Sequence, residues 1–140
     1  MKRNRLYDYT LFIEAWLTLS FAKLLIIVFE FKRIAALIGN PQVESPREMH
    51  EEKIIMDIEI AIIRGVKYVF FSSRCFDQSL AATFMLKRRK ITSTIYFGLN
   101  KKGEQLTAHA WVRCGEKIIS GRLGYERFTA VAWFGTNNLM

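Results

Sequence analysis

The 140-residue chain holds only two cysteines and two prolines, and each shortage closes off a class of protein. Two thiols cannot build a disulfide scaffold, and no pair of cysteines has the spacing of a structural zinc site. The only candidates for soft or imidazole ligation are Cys75, Cys114, His50 and His109. That set lacks the paired thiols zinc prefers, so neither metal nor cofactor is expected. Free thiols fit a reducing, cytoplasmic setting. Two prolines and eight glycines leave no room for a long linker. Internal repeats and low-complexity segments are absent as well.

Apolar residues make up 51% of the chain and charged residues 24%, the balance of a globular protein. One domain is expected over 1–140, with a helical part over 1–66 and a catalytic core over 67–140. The net charge of +8 invites anionic partners. Its one dense run, Lys87-Arg88-Arg89-Lys90, closes a predicted helix, where cations offset the dipole and solvate the exit. A dedicated anion site is the second reading of that run. No nucleic-acid recognition motif accompanies it, so nucleic acid is not expected as a partner.

Leu11 to Phe31 is strongly apolar, yet Glu14, Lys23 and Glu30 interrupt it. A spanning helix needs about 20 residues almost free of charge. Asp8 and Glu14 also spoil a secretory signal. The plainer reading is a buried amphipathic helix. The second is peripheral contact with a membrane, because Lys2, Arg3, Arg5, Lys23, Lys32 and Arg33 surround a large apolar face.

Apolar periodicity predicts helices over about 9–29, 32–38 and 46–67. Ser45 would cap the third, with Pro46 at its first position and Glu48 completing a capping box. Ser72 or Ser73 would cap a fourth helix, from Cys75 to about Lys90. Beyond Lys90 the pattern turns to strands, over about 91–98, 105–114, 117–120 and 127–134, with turns at 100–103 and 115–116. Helices followed by a small antiparallel sheet make an α+β fold. Alternation puts His109 on one face with Thr107, Trp111 and Arg113, and Ala108, Ala110 and Val112 on the other.

Two residues carry the chemistry. Cys75 opens a predicted helix, and 34 positions later His109 is the only histidine in a strand pattern. A thiol attacks as thiolate, and a helix N-terminus, a neighbouring cation such as Arg74 and an imidazole each favour that form. Cys114 lies on the Ala–Val face and reads as structural. His50 sits among Glu48, Glu51 and Glu52 and reads as exposed. Gln78 is a candidate oxyanion or site-lining group, and Trp111 reads as packing beside the site.

The order Cys then His is that of papain-like and transglutaminase-like cysteine enzymes. Cys75 with its preceding serines and Arg74, Gln78, Lys87-Arg88-Arg89, Tyr96-Phe97-Gly98, Ala108-His109-Ala110-Trp111-Val112 and Glu126-Arg127-Phe128-Thr129 together resemble the lasso-peptide leader peptidases. These are transglutaminase-like cysteine proteases. The resemblance runs from about Ile54 to Phe134. It implies helices packed on a sheet, with Cys75 as nucleophile at a helix N-terminus and His109 as base on a strand. At this length the chain is similar to the short stand-alone form. The partners implied are a lasso-peptide precursor with its leader, a separate leader-recognition protein and the lasso cyclase. The family often carries an aspartate about 12 positions beyond its histidine. Here Ser120-Gly121-Arg122 fills that region, and Gly121 offers no carboxylate. Ser120, Glu116 or a main-chain carbonyl is left to orient the imidazole. Two other readings stay open: transglutaminase-type acyl transfer to an amine, and a non-catalytic adaptor that holds a peptide or a membrane.

Overall fold

A computed structural model describes residues 5–48, 51–71 and 73–136. The expected exposure of His50 and the expected cap Ser72 lie outside the described residues. Among those described, the chain forms α1 (Arg5–Val28), α2 (Phe31–Ile38), β1 (Asn40–Pro41), α3 (Glu52–Val66), α4 (Cys75–Arg88), β2 (Thr94–Lys102), β3 (Gln105–Cys114), β4 (Lys117–Ser120) and β5 (Thr129–Gly135). A 3-10 turn at Tyr125–Arg127 leads into β5. The fold is α+β, with the helices on one face of an antiparallel sheet ordered β1-β5-β2-β3-β4.

α1 contains neither glycine nor proline, so nothing in its interior breaks the hydrogen-bond ladder. Leu11, Ala15, Leu19, Ala22 and Leu25 recur at helical spacing and are buried. Against them lies α3, brought close at Gly65, where an added Cβ would stand 3.0 Å from Leu19 Cδ1. α4 is more deeply enclosed: Leu80, Ala81, Ala82 and Leu86 have no exposed surface. Ile95, Val112, Cys114 and Ile119 complete this core from the inner face of the sheet. Tyr96, His109, Trp111 and Arg113 take the outer face, as alternation requires.

Several boundaries differ from the sequence expectation. α3 begins at Glu52, not at Pro46. Ser45 does not cap it, because the Ser45 hydroxyl and N–H both bond Thr94 Oγ1 at 2.8 Å. That residue is buried and ties the interhelical segment to the start of β2. β2 starts at Thr94 and continues to Lys102, so the hairpin turns at Gly103, where φ is +65°. A fifth strand, β1, is only two residues long and pairs with β5.

The basic run is part solvated helix end and part ion pair, with Lys87, Arg88 and Lys90 exposed and Arg89 half-buried. Arg89 grips both oxygens of Glu14 on α1, at 2.7 and 2.5 Å, and Arg88 approaches the same carboxylate at 2.9 Å. Lys87 donates to the Leu37 carbonyl at 2.9 Å. The run therefore fastens the end of α4 to α1 and α2.

Burial pushes the Glu14 carboxyl up, but the hydrogen bonds and charges of Arg89 and Arg88 outweigh it and hold the group below its ordinary value of 4.5. A depressed folded-state pKa contributes stability that is fully present above 4.5 and fades as pH falls through the lower folded value. Glu14→Gln should therefore cost about 1–2 kcal/mol at neutral pH. Melting curves should show that deficit shrinking on acidification. A deficit that stays constant down to about pH 3 would show that the carboxylate charge contributes nothing.

Candidate active site

Cys75 is the first residue of α4 and is half-buried. The chain enters through Arg74 in an extended conformation, and the Arg74 N–H donates to Asp77 Oδ2 at 2.9 Å. Asp77 is 2% exposed, and Lys23 of α1 brings a counter-charge to 3.8 Å from the same oxygen. This carboxylate sets the direction of the first turn. Ser73 does not act as the cap; its hydroxyl is buried and has no partner among the described residues. Asp77 thus closes half of a capping box on Arg74, and no partner is seen for the Cys75 N–H among the described residues.

His109 lies in the middle of β3, opposite Gly98 of β2. Its ring stacks on Phe128 at 5.0 Å and on Trp111 at 5.9 Å, and Trp111 in turn stacks on Tyr96 at 5.5 Å. Gly98 makes room for this column. A Cβ there would stand 2.7 Å from the Trp111 ring and 2.9 Å from Phe128 Cβ. Arg113 is buried at the base of the column, donating to Tyr96 Oη at 3.0 Å and to the Ser45 carbonyl at 2.8 Å.

The decisive contact is between His109 Nε2 and the main-chain oxygen of Gly121, at 2.7 Å. A carbonyl only accepts, so Nε2 carries the proton and Nδ1 keeps its lone pair. Gly121 lies 12 residues beyond His109. Its carbonyl thus occupies the place where an orienting carboxylate was sought. Neither side-chain candidate takes that role. The Ser120 hydroxyl is buried against Ser79 Oγ at 3.2 Å, and Glu116 is exposed in the turn between β3 and β4.

Cys75 and His109 sit on α4 and β3, two elements that pack together. No hydrogen bond joins the Cys75 thiol to the imidazole among the described residues; α4 crosses the inner face of the sheet, and His109 belongs to the outer one. The link is the strand edge. Gln78, one turn along from Cys75, lines a cleft of about 540 Å³ with Ser120, Gly121 and Leu123. β4 ends at Ser120, and the next residue holds His109. Trp111 is buried within the ring column and supports the imidazole. Sequence reasoning missed Asp77 and Phe128 as elements of this site. It left a main-chain carbonyl open as the orienting group, and the spacing after His109 marked the region without saying which carbonyl.

Residues 15–132 match the transglutaminase-like superfamily. The chain belongs to that superfamily. The match spans both Cys75 and His109. No curated protein and no solved structure matches the chain. Within the superfamily arrangement the second thiol is plainly separate: Cys114 is 2% exposed and donates to the Thr92 carbonyl at 3.3 Å. Burial pushes its pKa up to about 11, against a smaller opposing effect of Arg113.

Two predictions follow from this geometry. At about pH 8 roughly one Cys114 in a thousand is thiolate, so iodoacetamide should alkylate Cys75 and spare Cys114 in the folded protein. Peptide mass spectrometry reads the two sites separately, and equal labelling would contradict the burial of Cys114. The second concerns Gly121, whose φ is +72° and where an added Cβ would overlap the Ala110 carbonyl oxygen. Gly121→Ala should cost about 3 kcal/mol, and Gly121→Asp cannot supply the missing carboxylate without moving the backbone. A Gly121→Asp protein that melts like the wild type would overturn this.

Proposed function

We propose that this transglutaminase-like protein is a cysteine peptidase that removes the leader from a lasso-peptide precursor. The observation that carries the reading is the 2.7 Å bond from His109 Nε2 to the Gly121 carbonyl. It fixes the tautomer in which Nδ1 can take a proton, and it does so at the position where leader peptidases carry their orienting acid. Superfamily membership and the place of Cys75 in the first turn of α4, where helix N–H groups lack intrahelical partners, add support.

In the proposed reaction Cys75 Sγ gives its proton to His109 Nδ1 and attacks the carbonyl at the leader–core junction. The tetrahedral oxyanion accepts from the Cys75 N–H, with the Gln78 side chain as a second candidate donor. Each such donor is worth about 2.7–4 kcal/mol in the transition state. The C–N bond then breaks, and His109 returns its proton to the departing amine, which leaves as the free N-terminus of the core. Water attacks the thioester with His109 as base and releases the leader as its acid. The step requires Cys75 Sγ and His109 Nδ1 to meet around the β4 edge of the sheet, a contact that substrate binding has to complete. The freed amine is the group the lasso cyclase joins to an acidic side chain, and a separate leader-recognition protein delivers the precursor.

A labelled precursor peptide tests this. Wild-type protein with the leader-recognition partner should yield leader and core, faster than protein alone because the partner raises effective concentration. Cys75→Ala and His109→Ala should each lose about a thousandfold or more in turnover while still binding the peptide. An amine adduct in place of cleavage would make the protein an acyl transferase. Binding without turnover would make it an adaptor, and full activity of Cys75→Ala would remove the thiol from the mechanism.

A further inference from the structure

α1 has two faces of different fate. The inner one is built into the core. On the outer one Tyr9, Ile13, Leu17, Phe21, Leu24 and Ile27 are each between 52% and 70% exposed. Among the exposed residues from Leu6 to Val28 none is charged, and Thr10 and the Tyr9 hydroxyl supply the polar groups. The stripe follows the helix for roughly 30 Å at 1.5 Å per residue. Soluble proteins seldom leave so long an apolar band open to water.

The charged residues of α1 are kept off this band. Glu14 is held by Arg88 and Arg89, and Lys23 faces Asp77. The flanks, by contrast, are rich in cations. Arg5, Arg64 and Lys67 border a groove of about 880 Å³ beside Tyr9, Ile13 and Leu17, with Asp8 its one acid. Arg88, 70% exposed, borders the other side beside Leu17 and Phe21, with its ion-pair partner Glu14 in the same cleft. Lys32 and Arg33 are exposed beyond the C-terminal end, near Glu30. An apolar band with a basic margin is the pattern of a helix lying in the plane of a lipid interface.

We propose that the outer face of α1 docks on a membrane surface bearing anionic headgroups. The band enters the boundary between headgroups and acyl chains, and the flanking lysines and arginines meet the phosphates. α1 is long and apolar enough to cross a bilayer by length and composition. Its inner face, however, is committed to α3 and α4 through Leu11, Ala15, Leu19, Ala22 and Leu25, so it lies on the membrane and does not span it. A second copy of the chain is the weaker occupant. Pairing two stripes would set one basic margin against another in either orientation, whereas an anionic surface neutralises both. The proposal is independent of the role of Cys75.

Flotation of the full chain with vesicles tests it. The protein should rise with vesicles of phosphatidylcholine containing phosphatidylglycerol, and far less with phosphatidylcholine alone. Binding should weaken with added salt. Arg64→Gln with Lys67→Gln should reduce it about fivefold per cation, from about 1 kcal/mol each near a charged surface. Leu17→Gln with Leu24→Gln should reduce it by about tenfold or more, with circular-dichroism melts confirming the fold. The charge pair, at exposed positions, keeps the test decisive should the leucine variants unfold. Failure to float with either vesicle, or binding indifferent to both pairs of substitutions, would overturn the proposal. So would a two-copy mass in light scattering that the leucine variants return to one copy without any vesicle binding.

Discussion

α4 is gripped from two sides, by α1 across one flank and by the inner face of the sheet across the other. Eight of its fourteen residues are buried, so its axis has little freedom to tilt or slide. The grip differs along its length. At the C-terminal end Arg88 and Arg89 close on Glu14; at the N-terminal end Asp77 turns the backbone of Arg74 into the first turn. A side chain carried at the end of such a helix inherits its position from the whole core, and Cys75, the proposed nucleophile, sits there half-buried.

The sheet does the equivalent for the imidazole by another means. His109 is one ring in a column that runs Tyr96, Trp111, His109, Phe128, and the column stands only because Gly98 presents no side chain beneath it. Stacking restrains the plane of the ring, and the Gly121 carbonyl restrains its rotation. Arg113, buried among Tyr96, Ser45 and Gly115, anchors the far end of the column to the segment between α2 and α3. The two halves of the site therefore rest on different interactions: hydrophobic burial for the cysteine, aromatic stacking and one backbone hydrogen bond for the histidine.

What could be read from the chain was what local periodicity encodes. The limits of β3 and β4 agree with their alternation, since a strand with one buried face writes its register into its residues. Cys75 at a helix start and His109 in a strand were legible by the same means. The failures share one cause, a partner far away in sequence. Ser45 has the look of a helix cap, but its hydroxyl is spent on Thr94, 49 residues on. Arg88 and Arg89 look solvated until Glu14, 75 residues from Arg89, arrives beside them. The third element of the site was legible only as a class: a main-chain carbonyl was one of three candidates, and no letter says which carbonyl it is.

That last point bears on how such a site can change. A carboxylate that orients a base is lost by one substitution at one codon. Every residue type has a carbonyl, so the hydrogen bond to His109 depends on the path of the chain, which at Gly121 runs through a φ of +72° with no room for a Cβ. Its vulnerability moves accordingly, to whatever alters the bend after β4, substitution of that glycine included. Relatives that exchange an acid for such a bend would have the same working imidazole while seeming, letter by letter, to have lost their triad.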